Sequence, residues 1–347
     1  MNFAKLYPAK LEISGVNRLF IRVIVAVAVV FCSNAVGAPV VTTQKPAQKF
    51  ALTAESEKFW QLFDKGEQLV QVASGFGFTE GPVWDERGFL YVSDEEQNKI
   101  YKIFTDGHKE TLIALGDPDG STYDARLRLI DCASVLRAII SITPDGKYTV
   151  LADKFNGKKF NSPNDVIVGP DGALYFTDPT LDLVKGETQE IPFQGVYRLD
   201  GTGEVQLLTK DLTQPNGLAF SPDGKHFYVD DSEQRNIRVY DVKVDGTLAN
   251  GRIFGIEPGG KNEGVPDGMR VDMGGNIFVT GPKGIWVWDS EGHHLGTIEM
   301  PEQPANLVWG MRTTRLCILR RRLQFISCEQ RRRDLCHTSA LREIKNR

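Results

Sequence analysis

Six short segments of the chain begin at positions where, in five cases, the side chain carries a carboxylate or amide oxygen. These leading positions are Glu80, Asp119, Asn164, Asn216, Asp267 and Ala305. The set contains no histidine or cysteine, and carboxylate and amide oxygens suit Ca²⁺, which accepts about six to eight oxygen ligands. Carboxylates held close together repel each other, and a dication offsets that repulsion. If the fold brings these positions together, we expect them to bind calcium or another divalent cation.

The spacing of the segments indicates a repeated structural unit. The leading positions are separated by 39, 45, 52, 51 and 38 residues. Each leading residue is followed by glycine or a substitute, an apolar strand, a turn such as Asp171-Gly172 or Asp223-Gly224, and a second strand. Asp-Gly between apolar runs is a strong hairpin signal, because glycine supplies the positive φ of the turn. A period of about 45 residues with evenly spaced strands is typical of four-stranded propeller blades.

The sequence therefore predicts an all-β protein, a six-bladed β-propeller over residues 70–310. The innermost strand of every blade lines the central channel, so the six leading residues should converge at one mouth of that channel. The alternative is that each Asn or Asp only caps a turn before a strand, as these residues often do. Polar residues at five of six equivalent positions favour the ring.

The N-terminal segment has the composition of an export signal. Four basic residues precede the apolar run at 23–31, and small residues follow as far as Ala38. We predict a secretory signal and the start of a linker over residues 1–38, a linker over 39–69, and export to the periplasm or the medium. A single membrane anchor is the alternative, and the shortness of the apolar run disfavours it.

The C-terminal segment differs in composition from everything before it. Residues 311–347 contain ten Arg and one Lys against three acidic residues, a net charge of +8, which leaves −12 for residues 1–310 out of the total of −4. A tail that binds nucleic acid is one interpretation. We favour a segment outside the fold, of the kind that out-of-frame translation produces, which would leave the last blade incomplete or disrupted.

Four motifs resemble the gluconolactonase family, which also contains senescence marker protein (regucalcin). They are GFTEGPVW (77–84), FNSPNDV (160–166), PNGLAFS (215–221) and PDGM (266–269). The resemblance covers residues 70–310 and implies a six-bladed propeller with a divalent cation, commonly calcium, and hydrolysis of sugar lactones. It implies that Glu80, Asn216 and Asp267 are the principal metal ligands. Asn164 would be the fourth ligand or a substrate contact, and Asp165 would lie beside the substrate.

The sequence also departs from the family pattern. Ser162 stands where some members have an arginine two residues before the Asn-Asp pair, so a guanidinium contact to sugar hydroxyls is not expected there. In the second repeat, Leu127 replaces the expected turn glycine, and Cys132 lacks the Glu-His that usually follows it.

We therefore predict a calcium-dependent lactonase in which the metal polarises the lactone carbonyl and a carboxylate activates water. Asp267 is the first candidate for the base and Asp165 the second, while Asp119, Asn164 and Asp165 are the expected substrate contacts. The partner is a small-molecule lactone, with no nucleic acid and no membrane beyond the cleaved signal. The alternatives are a phosphotriesterase of the diisopropylfluorophosphatase type, which uses a similar ligand set, and an inactive metal-binding propeller.

Overall fold

The computed structural model describes residues 49–260 and 262–310, together with the backbone of residues 315–319 and 322–327. The predicted signal and the remainder of the Arg-rich tail lie outside the described residues. Regular structure in the described part is almost entirely β, and its one helical element is a 3-10 helix at Glu57–Gln61. None of the helical structure described is long and apolar enough to cross a membrane. The predicted all-β class is confirmed.

The strands follow one another along the chain with short connections. The first two strands flank the 3-10 helix and are β1 (Ala51–Ala54) and β2 (Leu69–Ser74). The next eight are β3 (Thr79–Asp85), β4 (Phe89–Asp94), β5 (Lys99–Phe104), β6 (Lys109–Ala114), β7 (Pro118–Tyr123), β8 (Leu129–Ala133), β9 (Ala138–Ile142) and β10 (Tyr148–Ala152). A separate small hairpin follows, made of β11 (Lys154–Phe155) and β12 (Lys158–Lys159).

The second half of the chain continues the pattern. Its first eight strands are β13 (Val166–Val168), β14 (Leu174–Asp178), β15 (Gly195–Leu199), β16 (Val205–Thr209), β17 (Pro215–Phe220), β18 (His226–Asp231), β19 (Asn236–Val242) and β20 (Leu248–Ile256). The remaining strands are β21 (Met269–Val271), β22 (Ile277–Gly281), β23 (Gly284–Trp288), β24 (His294–Glu299), β25 (Asn306–Gly310), β26 (Arg315–Leu319) and β27 (Arg322–Ser327).

Five antiparallel sheets are each built from four consecutive strands, namely β3–β6, β7–β10, β13–β16, β17–β20 and β21–β24. The fifth of them carries β1 as an additional outer strand. A further four-stranded sheet is composite, because it joins β25, β26 and β27 to β2 from the beginning of the chain. The β-propeller architecture is confirmed. In the described residues it has five blades of consecutive strands, where six were predicted, and one composite sheet of a different construction.

The first strands of the sheets lie next to one another in chain order. β3 contacts β7, β7 contacts β13, and the series continues through β17 and β21 to β25, which contacts β3 again. An apolar cluster lies between each pair of neighbouring sheets, including the two junctions of the composite sheet. Burial between sheets and the contacts between first strands therefore order the first strands around a centre.

The hairpin turns have the predicted backbone conformation. Gly172 and Gly224 have φ of +79° and +69°, which glycine adopts without strain. Leu127 stands where a turn glycine was expected and has φ of +59° with its side chain exposed. The turn is thus preserved in the second sheet despite a residue that disfavours this conformation.

The fold extends beyond the predicted limits of 70 and 310. In the predicted linker, β1 pairs with β24, and Phe59 is buried in the cluster between the fifth and composite sheets. In the Arg-rich tail, which was predicted to lie outside the fold, β26 and β27 pair with β25 and β2. Strand pairing needs main-chain N–H and C=O groups, which any proline-free segment supplies to an open sheet edge. Composition alone was therefore a poor guide to this boundary.

Candidate functional site

The leading segments of the six repeats meet at the centre. A methyl group at Gly81 would lie 2.2 Å from the carbonyl oxygen of Asp119, and one at Gly217 would lie 2.0 Å from the carbonyl oxygen of Asp267. Gly120 donates its N–H to the carbonyl oxygen of Asn164 at 2.7 Å. Each glycine after a leading residue thus packs against the leading residue of the next repeat. Glycine is required there because no side chain fits between the two backbones.

The ring is closed by an amide that the sequence analysis did not single out. Asn306 Nδ2 donates to Glu80 Oε2 at 2.7 Å, although the two residues are 226 positions apart, and both side chains are buried. The predicted sixth position was Ala305, which carries no polar side chain. The polar group comes from the next residue, Asn306. A sequence signal for it exists, because four other repeats have glycine at this position and Asn306 departs from them.

The Glu80 carboxylate is buried and only partly hydrogen-bonded. Its Oε2 accepts from Asn306 and from the N–H of Gly81, whereas Oε1 has no hydrogen-bond partner. Burial raises the pKa of Glu80 to about 8, with the hydrogen bond from Asn306 opposing the shift and the charge of Asp165 adding to it. An enclosed carboxylate oxygen without a partner costs free energy unless a cation, a proton or water satisfies it.

Asp119 and Asn164 lie side by side. Asn164 Nδ2 donates to Asp119 Oδ2 at 2.8 Å, and Ser134 Oγ donates to the same oxygen at 3.3 Å. Burial raises the pKa of Asp119 well above its ordinary value, and the nearby charges of Glu95 and Asp182 raise it further. These predicted residues therefore share one environment with other carboxylates.

Asn216 and Asp267 form the opposite part of the ring. Asn216 Nδ2 donates to Ser232 Oγ at 3.2 Å, and the same side chain hydrogen-bonds the Asp267 carboxylate. Burial raises the pKa of Asp267 well above its ordinary value, and the charges of Glu80 and Asp165 are the next causes. Asp267 is largely enclosed but retains partial solvent exposure. Glu80 and Asp267 therefore act on each other in one site.

Asp165 is more enclosed than expected for a residue beside the substrate. Only 2% of it is exposed, Oδ1 accepts from the N–H of Val166 at 2.8 Å, and Oδ2 has no hydrogen-bond partner. Arg270 Nη1 lies 3.8 Å from Oδ2. Burial raises the pKa of Asp165, and the charge of Arg270 opposes the shift. Asp165 thus faces an interior guanidinium, and Asp267 is the more accessible of the two predicted bases.

Three further carboxylates, from Glu95, Asp117 and Asp182, lie near the ring and were missed by the sequence analysis. Asp182 belongs to the connection between β14 and β15, donates its N–H to Ser162 Oγ at 3.2 Å, and accepts a hydrogen bond from the Asn164 side chain. Burial raises the pKa of Asp182 to about 6, and the charge of Asp117 adds to the shift. The only sequence signal for Asp182 is the unusual length of its connection.

A second acidic group lies away from the first strands. Among the described residues, Asp289, Glu291 and His293 are the one group of at least three acidic, His or Cys side chains with ligand atoms close enough to share an ion. They occupy the turn between β23 and β24, and Glu291 and His293 are exposed. Lys58 Nζ lies 2.9 Å from Asp289 Oδ2 and already supplies a positive charge there. The ring differs from this turn because its carboxylates are enclosed.

The fold and the site define a β-propeller with buried oxygen donors gathered at the centre of its sheets. The family model described as "SMP-30/Gluconolactonase/LRE-like region" matches residues 78–320. The chain belongs to this family.

Known proteins resemble the chain at different levels. It is 33% identical over 283 residues to a gluconolactonase of Zymomonas mobilis, which covers 73% of this chain and 78% of that protein. A solved gluconolactonase structure from Xanthomonas campestris superposes with a TM-score of 0.74 at 31% identity, covering 82% of this chain and 98% of that one. A calcium-binding regucalcin from Agrobacterium tumefaciens has a TM-score of 0.62 at 19% identity, covers 74% of this chain and 94% of that one, and shows the fold alone.

Proposed function

We propose that the protein is a metal-dependent lactonase that opens a small sugar lactone. One observation carries the proposal: residues from separate repeats enclose the Glu80 carboxylate, whose Oε1 is buried and has no partner. The likeness to gluconolactonases over most of the chain supports lactone as the substrate class.

The donor set fits a hard divalent cation. Glu80, Asn164, Asn216 and Asp267 would hold Ca²⁺, or another divalent cation, through carboxylate and amide oxygens. The buried oxygen without a partner on Glu80 and the mutual repulsion of Glu80 and Asp267 are the features that a cation would relieve. When bound, such an ion supplies Lewis-acid polarisation of a carbonyl oxygen.

The side chains of the ring transfer the proton and orient the substrate. Asp267, partly open to solvent, accepts a proton from the attacking water, and the water oxygen bonds to the lactone carbonyl carbon. The ring C–O bond then breaks, and the proton passes to the leaving oxygen. Asn164 and Asp119, joined by a hydrogen bond, orient the substrate from one side. Asp165 is enclosed opposite Arg270, so we assign it a structural role in this reaction.

The test distinguishes whether Asp267 acts as the base or only as a metal ligand. Asp267→Asn should lower kcat on gluconolactone by about 100-fold or more while calcium binding, measured by titration calorimetry, weakens far less. Equal loss of both would make Asp267 a ligand only. Glu291→Gln is the matched control, because it changes an exposed carboxylate of the acidic turn and should leave both measurements unchanged. If Glu80→Gln keeps full metal binding, the ring is not the metal site.

A substrate panel separates the lactonase from the phosphotriesterase. Turnover of diisopropyl fluorophosphate with none on gluconolactone would reverse the assignment. The inactive propeller was favoured by an incomplete or disrupted last blade, and the pairing of β26 and β27 with their neighbours weakens that support. We further propose that the composite sheet acts as the sixth blade and closes the ring.

We also propose export of the protein, from the basic and apolar pattern of its first 38 residues. N-terminal sequencing of protein recovered from the periplasm or the medium tests it. An intact N-terminus in the cytoplasmic fraction would contradict export.

A further inference from the structure

Two connections beside the ring carry exposed apolar side chains. Residues 134–137 join β8 to β9 and include Val135 and Leu136, with 41% and 38% exposure. Residues 179–194 join β14 to β15 and include Leu181 and Val184, with 42% and 43% exposure. We call these four side chains the apolar rim. Single exposed apolar residues are ordinary, whereas a group beside a binding site is typical of ligand contact.

An ion pair joins the two connections. Arg137 has only 5% of its side chain exposed, and its Nη1 lies 2.7 Å from Glu187 Oε2 in the other connection. Arg137 directly follows Leu136, and Glu187 lies three residues after Val184. This bridge links the connection that carries Val135 and Leu136 to the connection that carries Leu181 and Val184.

Both connections are also anchored to the ring. Ser134, next to Val135, donates to the carbonyl oxygen of Pro163 at 2.7 Å and to Asp119 Oδ2. Asp182, next to Leu181, donates its N–H to Ser162 and hydrogen-bonds the Asn164 side chain. Val135 and Leu181 are therefore each adjacent in sequence to a residue that contacts the groups proposed to orient the lactone.

The side of the channel mouth near Asp182 offers both polar and apolar groups, whereas a polyhydroxylated substrate needs only polar ones. Ser162 is fully buried, and its Oγ donates to the carbonyl oxygen of Pro179 and accepts from the N–H of Asp182, so it offers no contact to a ligand. The carboxylates of Asp117 and Asp182 are acceptors for hydroxyl groups, while the apolar rim offers no polar atoms to a ligand. A lactone with both a polar ring and an apolar substituent would use both surfaces.

We propose that the apolar rim is a specificity subsite for the substituent of the lactone, so that the site accepts lactones bearing an alkyl or aryl group. The inference rests on the proposed function, because the lactone ring must bind at the leading residues. Each methylene placed against the apolar rim should raise kcat/KM by up to about fourfold, until the rim is covered.

The experiment compares γ-lactones with no side chain, a butyl chain and a hexyl chain, with gluconolactone as the polar reference. The wild-type protein should show kcat/KM rising with chain length. The double variant Leu181→Ser, Val184→Ser should lose that rise while keeping its turnover of gluconolactone. The matched control is Val150→Ser with Ile253→Ser, two side chains of equal 47% exposure on the outer strands β10 and β20, and should behave as wild type.

The outcomes separate the two proposals. If gluconolactone is hydrolysed but chain length has no effect, or if the double variant keeps the rise, the subsite is wrong and the lactonase stands. If no lactone is opened, the lactonase fails. The affinities for an alkylated and an unsubstituted lactam, which mimic the lactone ring without being opened, are then measured by calorimetry to test whether the subsite exists. Equal affinity for the two lactams would overturn it.

Discussion

Asn306 and Asp165 occupy the same position in their repeats, directly after the leading residue, but their surroundings differ. Both use Oδ1 to accept the N–H of the following residue, at 2.7 Å for Leu307 and 2.8 Å for Val166. Asn306 then donates to Glu80, whereas Asp165 Oδ2 has no hydrogen-bond partner and lies 3.8 Å from Arg270.

The two positions share a hydrogen bond that belongs to the local fold and differ in the polar atom that faces the site. The local hydrogen bond from the main chain to Oδ1 is common to both positions and uses one polar atom of each side chain. The second polar atom is free to vary. On the Asn306 side it is a neutral donor that binds a carboxylate, and on the Asp165 side it is a charge that needs a cation. Of the two repeats that lack glycine, one therefore adds a carboxylate to the ring and the other adds a neutral donor.

The largest effect on stability is expected at Asp178, which serves as a reference for Asp165. Both are buried carboxylates with one oxygen that has no hydrogen-bond partner. Burial raises the pKa of Asp178 from 3.8 to about 8. Between these values the folded protein keeps a proton that the unfolded chain has released, so stability falls as pH rises by about 1.4 kcal/mol per unit. Asp178→Asn should remove this contribution, so that the slope measured by denaturant unfolding between pH 4 and pH 8 becomes less steep by about 1.4 kcal/mol per unit.

The control for this prediction is the hydrogen bond that the variant retains. The N–H of Asn161 donates to Asp178 Oδ2 at 2.9 Å, and an asparagine oxygen accepts in the same way. A variant whose stability still falls with the wild-type slope would assign the pH dependence to the ring carboxylates instead.

The next largest loss of stability is expected in the repeats that have glycine after the leading residue. In Gly217→Ala the new methyl would lie 2.0 Å from the carbonyl oxygen of Asp267, so the two repeats must separate. We expect a loss of about 3 kcal/mol in the free energy of unfolding, measured with urea. Gly201→Ala is the control, because nothing lies within 4 Å of its added methyl. Similar stabilities for the two variants would show that the ring tolerates side chains at these positions.

Asn306→Asp makes the two compared regions alike in charge. It places a second carboxylate against Glu80, where a donor stood before, so repulsion should cost about 2 kcal/mol in the presence of chelator. Excess Ca²⁺ should recover part of the loss, because a ligand that binds only the folded state stabilises it. Thermal melts with and without calcium measure both effects. A loss that calcium does not change at all would place the metal elsewhere.

The smallest effect is expected at Arg270. Arg270→Met removes the guanidinium near Asp165 and should lower the stability of the metal-free protein by about 1 kcal/mol. Arg270→Lys keeps a positive charge and should lose less. Equal losses in chemical denaturation would mean that packing, and not charge, is what Arg270 contributes.

Much of the fold was readable from the sequence because its signals are local. Asp171-Gly172 and Asp223-Gly224 define hairpins, and alternating apolar residues define strands that bury one face between neighbours. The first-strand positions of Glu80 and Asp119 follow directly from the repeat. The composite sheet was not predictable in this way, because β2 and β27 meet only when the two ends of the propeller come together.

The sequence by itself determined the repeat, the turn glycines and the type of donor at each leading position, since all of these depend on short stretches of chain. Only the tertiary structure decided which donors have partners. Asn306 meets Glu80 across 226 residues, Arg270 reaches Asp165 from another sheet, and Asp182 comes to Asn164 from a connection without a motif. Hydrogen bonds and charges act through space over a few ångströms, and separation along the chain does not specify that distance.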